Sequence, residues 1–179
     1  AGCRRAFLKP RWSSSASGVV AYTSTPRDES ALTSTEVVVH PGGRVDLFNS
    51  LRLRRYRGRR EVARLLDALA VHGVVVERWV PKRLFESRRF DVRVVVIDGR
   101  ARHVVGRASP TPLTNLHLGN ERIWPEALRA HLGEPLMGQV LAQAEQAVAA
   151  FPGALYAGVD VMVADGGAEV FVLEVNAFG

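Results

Sequence analysis

Cysteine is almost missing: Cys3 is the single thiol in 179 residues. One thiol closes no internal disulfide, so packing must hold the fold, and a reducing, cytoplasmic setting is the expectation. Long apolar runs are missing too. One of the longest uncharged stretches, Gln146 to Val159, is broken by Pro152 and Gly153. A bilayer span needs about 20 apolar residues in a row, so no membrane helix is expected. Ala1 to Arg5 leads straight into a strand-like run, and no leader peptide is expected there. Repeats and low-complexity tails are absent, and an apolar content of 47% excludes general disorder. Lysine is scarce: of 24 basic residues, only Lys9 and Lys82 are lysines. That bias fits a GC-rich coding background, and it makes the two lysine positions informative.

What is present suits a globular unit with a sizeable core. A net charge of +6 and an isoelectric point near 10.4 suit an anionic partner, whether nucleotide, nucleic acid or acidic peptide. Short β-rich segments alternate with a few helices, which predicts the α+β class. Strands are expected at Ala6 to Leu8, Val19 to Tyr22, Thr33 to Val39, Val45 to Phe48 and Val74 to Val80. More follow at Asp91 to Ile97, Ala101 to Ala108, Leu155 to Val163 and Ala168 to Val175. Hairpin turns are expected at His40-Pro41-Gly42-Gly43, Asp98-Gly99 and Asp165-Gly166-Gly167. Helical spacing predicts Arg60 to Ala70, with Val62, Leu65, Leu66 and Leu69 on one stripe, and Leu136 to Phe151, bracketed by Pro135 and Pro152. A weak boundary falls near Pro81 to Arg89. The chain starts without Met and stops four residues after Val175, so a piece of a longer protein is expected.

The last hairpin carries the sharpest chemistry. Asp160 and Glu174 each interrupt an apolar strand, where a lone buried carboxylate costs several kcal/mol unless paired or metal-bound. Glu174 and Asn176 share a face by strand alternation. A turn of Asp165 to Glu169 would set Asp160 opposite Glu174, and a turn one residue longer or shorter would split them. The three oxygen donors then suit Mg²⁺ with phosphate completing the shell, or a sheet edge with solvated carboxylates. Lys9, followed by Ser13 to Gly18, offers a point charge and backbone N–H groups to phosphates, without the Walker spacing, or is an ordinary loop. Glu77-Arg78-Trp79-Val80-Pro81-Lys82 suits a purine edge or a packed tryptophan. Arg93 and Arg107 add fixed positive charge, although Asp91 and Arg93 share a strand face and are positioned to pair with each other. His117 is an acid–base candidate or simply exposed. Arg52 to Arg60 holds six arginines with one stacking aromatic, Tyr56. It reads as a solvated face ahead of a helix, and nucleic acid is not expected as a partner.

Taken in order, these pieces resemble the ATP-grasp superfamily, in its glutathione-synthetase-like and ribosomal-protein glutamate-ligase-like branch. The matching residues are Lys9-Pro10 with Ser15 to Gly18, Glu77 to Val80, Asp91-x-Arg93, Asn115-Leu116-His117-Leu118-Gly119, Gly158-Val159-Asp160 and Glu174-Val175-Asn176. They span nearly the whole chain in the family's order. The resemblance implies two α+β subdomains, 1–80 with the phosphate loop and 81–179 with the metal site, built on antiparallel sheets with nucleotide between them. It implies that Lys9, Ser14, Ser15, Ser17 and Gly18 hold ATP phosphates, and that Glu77, Trp79 and Val80 hold adenine. Asp160, Glu174 and Asn176 would carry Mg²⁺, or Mn²⁺ in its place, while Arg93, Arg107 and Asn115 face the reacting phosphate. The implied activity is an ATP-dependent ligase: a small-molecule or peptide carboxylate becomes an acyl-phosphate, which an amine-type acceptor attacks. A homo-oligomer would be in keeping with that branch. The branch often has an Arg two residues before its loop Asn, where this chain has Leu113. The alternatives are a nucleotide-binding domain without ligase activity and a basic RNA-associated module.

Overall fold

The computed structural model describes residues 4–12, 17–114 and 119–177. The chain divides into two compact units, Ala1–Trp79 and Val80–Gly179, each α+β and each built on its own antiparallel sheet. Among the described residues no helix is long and apolar enough to cross a membrane.

In the first unit the elements run β1 (Arg5–Pro10), β2 (Val20–Ser24), β3 (Glu29–Val39), β4 (Val45–Arg57), α1 (Arg59–Ala70) and β5 (Val74–Arg78), with sheet order β4-β3-β2-β1-β5. The helix buries Val62, Leu65 and Leu69, spaced three and four apart, against Val20 and Ala31 of the sheet. Tyr56 packs against the same cluster, and its hydroxyl donates to the Thr35 carbonyl while accepting from the Val37 N–H. The main departure from expectation is β4. It runs on from Phe48 to Arg57, so Arg52, Arg54, Arg55 and Arg57, exposed and just ahead of α1 as expected, lie on an edge strand. An edge strand needs few apolar residues on its outer side, which hid its length.

The second unit contains β6 (Leu84–Phe85), β7 (Arg88–Ile97), β8 (Arg100–Ser109), β9 (Glu121–Ile123), α2 (Pro125–Leu132), α3 (Glu134–Ala149), β10 (Tyr156–Val163) and β11 (Val170–Asn176). The sheet order is β11-β10-β7-β8-β9, with β6 against β7. Asp98 and Gly99, at φ 50° and 68°, make the tight left-handed turn expected between β7 and β8. One face of the sheet is apolar: Val92, Val94 and Val96 of β7 and Val159, Val161 and Val163 of β10 pack with Met137, Val140, Ala144 and Val148 of α3. The helix α2, unanticipated because only Leu128 and Leu132 mark its buried side, meets α3 at Gly133, whose φ of 76° turns the chain in a single residue. Pro135 lies inside the first turn of α3 rather than before it, and the helix ends at Ala149, before Phe151.

The register of β10 and β11 decides what the other face carries. Near the turn, Val163 opposes Val170 and Val161 opposes Val172. That pairing is one residue off the expected register and would carry Glu174 away from Asp160. A bulge at Leu173 corrects it: beyond the bulge Asp160 opposes Glu174 and Gly158 opposes Asn176. The extra residue also reverses the alternation of β11. Val172 and Val175 both pack on the α3 side, which leaves Glu174 and Asn176 on the face of Asp160. Deleting Leu173 should therefore leave a regular ladder in which Val172 still meets Val161 and Glu174 still meets Asp160. We expect a cooperative urea transition with a loss of about 1–2 kcal/mol; an unfolded product would mean the kink itself is required.

Candidate functional site

Each unit gathers charged side chains on the sheet face that its helices leave open. In the first unit Phe7 opposes Glu77 and Lys9 opposes Val75, so Lys9 and Glu77 are diagonal neighbours on one face. Lys9 Nζ stands 2.8 Å from Glu77 Oε2, with both side chains partly exposed. The Trp79 ring lies 4.7 Å from that of Phe7, and the Arg5 guanidinium sits 4.6 Å from the Trp79 centroid. Three expected residues are thus together, although Lys9 and Glu77 face each other. Val80 begins the second unit and is half-buried. Gly18, with φ 76°, is buried against Pro10, and a Cβ there would lie 2.4 Å from Pro10 Cγ. Only glycine lets the loop return so closely to the end of β1. Ser17 is half-buried beside it, while Ser14 and Ser15 lie outside the described residues.

In the second unit the site is a chain of cross-strand ion pairs. Asp91 directly opposes Arg107, and Asp160 directly opposes Arg93. Arg107 Nε donates to Asp91 Oδ1 at 2.7 Å, and its terminal nitrogen lies 3.0 Å from Asp160 Oδ2. Arg93 Nε is 2.6 Å from Asp160 Oδ1. Lys82 Nζ lies 2.9 Å from Asp91 Oδ2, and Thr114 joins Lys82 and Asp91 through its hydroxyl. Asp91 and Arg93 therefore do not pair with each other as expected; each finds its partner across the ladder, where side chains lie closer than along one strand. Glu174 is exposed beside Asp160. The Asn176 Nδ2 is buried with no hydrogen-bond partner among the described residues. Asn115 and His117 lie outside the described residues.

No protein-family model matches the chain, and no curated protein matches its sequence. The site's chemistry stands on its own residues.

Burial alone would push the Asp91 carboxyl up, but Lys82 and Arg107, with hydrogen bonds from Arg107 and Thr114, outweigh it and hold the group below the ordinary carboxylate range. Burial likewise works against the Arg107 charge, and the two aspartates overcome it, so the guanidinium is raised and stays cationic at every accessible pH. Lys82 and Thr114 were missed as members of this cluster. Lys82 had a signal, being one of two lysines in an arginine-rich chain; Thr114 had none. Pro81 to Arg83 bonds along the end of β10, through Arg83 N to Val163 O and Asp165 N to Pro81 O, and this fixes Lys82 over the sheet.

A carboxylate lowered in the folded state adds stability that is complete above its unfolded value, about pH 4, and disappears as pH falls through the lower folded value. Asp91→Asn should lose about 3–5 kcal/mol at pH 7, because Lys82 and Arg107 stay buried with their shared partner gone. The gap between wild type and variant should narrow steadily below about pH 4 in urea titrations. A gap independent of pH would show that Asp91 acts through shape rather than charge.

Proposed function

We propose that the protein is an ATP-dependent carboxylate–amine ligase of the ATP-grasp type that uses Mg-ATP. The supporting observation is the arrangement on the open face of the second unit: Asp160 opposite Glu174, flanked by Arg93 and Arg107, with Asn176 two residues beyond. Its oxygen donors suit a hard divalent cation, although each Asp160 oxygen already faces an arginine. Among the described residues no group of three or more His, Cys, Asp or Glu could hold a metal. The donor set is therefore two carboxylates and the Asn176 amide oxygen, with phosphate oxygens to complete it. Bound there, Mg²⁺ would neutralise phosphate charge.

The residues of the chain then divide the work. Lys9 exchanges its exposed pairing with Glu77, of a kind worth about 0.2–1 kcal/mol, for a phosphate oxygen. Glu77 is freed to accept from the adenine amine, beside Trp79. Arg93 and Arg107, held by Asp160 and Asp91, direct N–H groups at the charge that builds on the transferring phosphoryl group. The substrate carboxylate attacks the γ-phosphorus and ADP leaves. The amine then attacks the acyl carbon and phosphate leaves, while the amine proton passes to solvent. Positioning and charge suffice here, and no protein nucleophile is required.

One observation favours a second reading, nucleotide binding without transfer. Leu113, at the position where the ligase branch often has Arg, is 5% exposed and cannot reach a phosphate. Acceptor-dependent ADP release separates the two readings. Binding itself is tested by thermal shift with a non-hydrolysable ATP analogue, with and without Mg²⁺. At 100 times its dissociation constant the analogue should add about 2.7 kcal/mol, a rise of several degrees. The rise should need Mg²⁺, disappear in Lys9→Ala and shrink in Glu174→Gln. A rise unaffected by either variant would remove these residues from the site, and no rise at all would remove the nucleotide.

A further inference from the structure

The positive charge is not shared between the units. Residues 1–79 hold 14 of the 24 basic and 7 of the 18 acidic side chains, a net charge of +7, and the remainder stands at −1. Within the first unit the densest basic run is Arg52 to Arg60, on the end of β4 and the start of α1. Arg54 pairs with Glu36 and Arg59 approaches Glu29, but Arg52, Arg55, Arg57 and Arg60 are exposed with no ion-pair partner among the described residues. Arginines with partners serve the fold; these four are available to an anion.

Between β4 and the ends of β1 and α1 lies an uncharged groove of about 350 Å³, lined among others by Trp12, Ser17, Thr35, Phe48, Asn49 and His72. Thr35 is 3% exposed, and its Oγ1 has no hydrogen-bond partner among the described residues. A buried hydroxyl left unpaired is costly, and a ligand reaching it from the groove would relieve that cost. Asn49 opposes Thr35 and uses its Oδ1 to accept from the Ser34 hydroxyl, leaving its amide N–H groups for a ligand. Trp12 and Phe48 are 85% and 52% exposed, a large aromatic surface to leave in water. Just past Asn49, the four residues Ser50 to Leu53 stand against the single residue Ser34 of β3, an outward excursion that carries Arg52. Phe48 and Asn49 bring the groove onto β4, and a strand leaving it passes round the sheet edge to reach Arg55 and Arg57, which alternate with the core-packed Tyr56.

We propose that this edge of the first unit binds single-stranded nucleic acid, with a base in the groove and phosphates on Arg52, Arg55 and Arg57. An uncharged, aromatic slot with hydroxyl and amide groups suits a base, and unpartnered arginines suit its backbone; this pairing of features is how single strands are held. An acidic peptide would use the arginines but give the Thr35 and Asn49 side chains no particular task. The groove shares Ser17 and Gly18 with the phosphate loop of the nucleotide reading above, but Lys9, Glu77 and the second unit take no part, and Arg52, Arg55, Arg57 and Thr35 belong to this proposal alone.

The test is fluorescence anisotropy of the whole chain with a labelled oligouridylate about 12 nucleotides long, within the span of one small domain. Binding should weaken with salt, each phosphate contact adding about −0.7 to the log–log slope. Replacing Arg52, Arg55 and Arg57 together by Ala should flatten that slope by about 2 and lower affinity at least tenfold, with the melting temperature unchanged. Thr35→Val, which keeps the shape, should cost about fivefold with the slope unchanged. Absence of binding overturns the proposal. So does equal affinity for duplex RNA or for polyglutamate of matched charge, which would reduce the edge to a general anion surface. Insensitivity to both variants would place any binding elsewhere.

Discussion

Two aspartates are buried in the second unit, and neither is tenable there alone. Asp91 and Asp160 sit in valine-rich strands, in surroundings where an isolated carboxylate would give up its charge. Arg107 resolves both problems at once. Its planar fork bonds Asp91 with one edge and meets Asp160 with another, a geometry that the point charge of a lysine cannot reproduce. Lys82 and Arg93 then close the two ends. Five charges come out balanced to within one, on the one face of the sheet that α3 does not cover.

That balance depends on which residues face which way, and so on backbone register. Cross-strand pairing is what sets Asp91 against Arg107 and Asp160 against Arg93; a slip of one residue in β7 would turn Arg93 into the core beneath α3. β11 comes within one residue of that fate. The turn after β10 delivers it in the wrong phase, and Leu173 restores it at the last point before the carboxylate. The bulge lies beside the site rather than at the strand's end because only the residues beyond it need to be reversed: Val170 and Val172 already point at the core and must stay there.

This history sets what was legible in the sequence. Periodicity exposed α1 and α3, since Val62, Leu65 and Leu69, or Met137, Val140 and Ala144, repeat regardless of what surrounds them. Asp160 and Glu174 stood out because a carboxylate in an apolar strand needs a reason. Their opposition was anticipated from a turn that the protein does not have; two one-residue departures, in the turn and at Leu173, offset each other. No local pattern announces a bulge in an unbroken apolar strand. The partners of Asp91 were illegible for a related reason, as they come from residues 82, 107 and 114, and only sheet order brings those together. The length of β4 was hidden by its position, because an edge strand can be built of arginines.

The distribution of arginine separates two uses of one residue type. In the second unit Arg93 and Arg107 are enclosed and matched to carboxylates, and that unit is close to neutral. In the first, the arginines of β4 outnumber the acids within reach, and most have no partner. A coding bias can raise arginine everywhere, but it cannot by itself place the whole excess in one unit and six of its arginines within nine residues. Edge protection is a structural use for some of it, since charges on an open strand deter pairing with another chain. Yet protection calls for charge of either sign, and a few residues suffice. An edge of one sign, beside a groove that leaves a buried hydroxyl unpaired, goes beyond what protection requires, and the surplus points to an anion with an aromatic group attached.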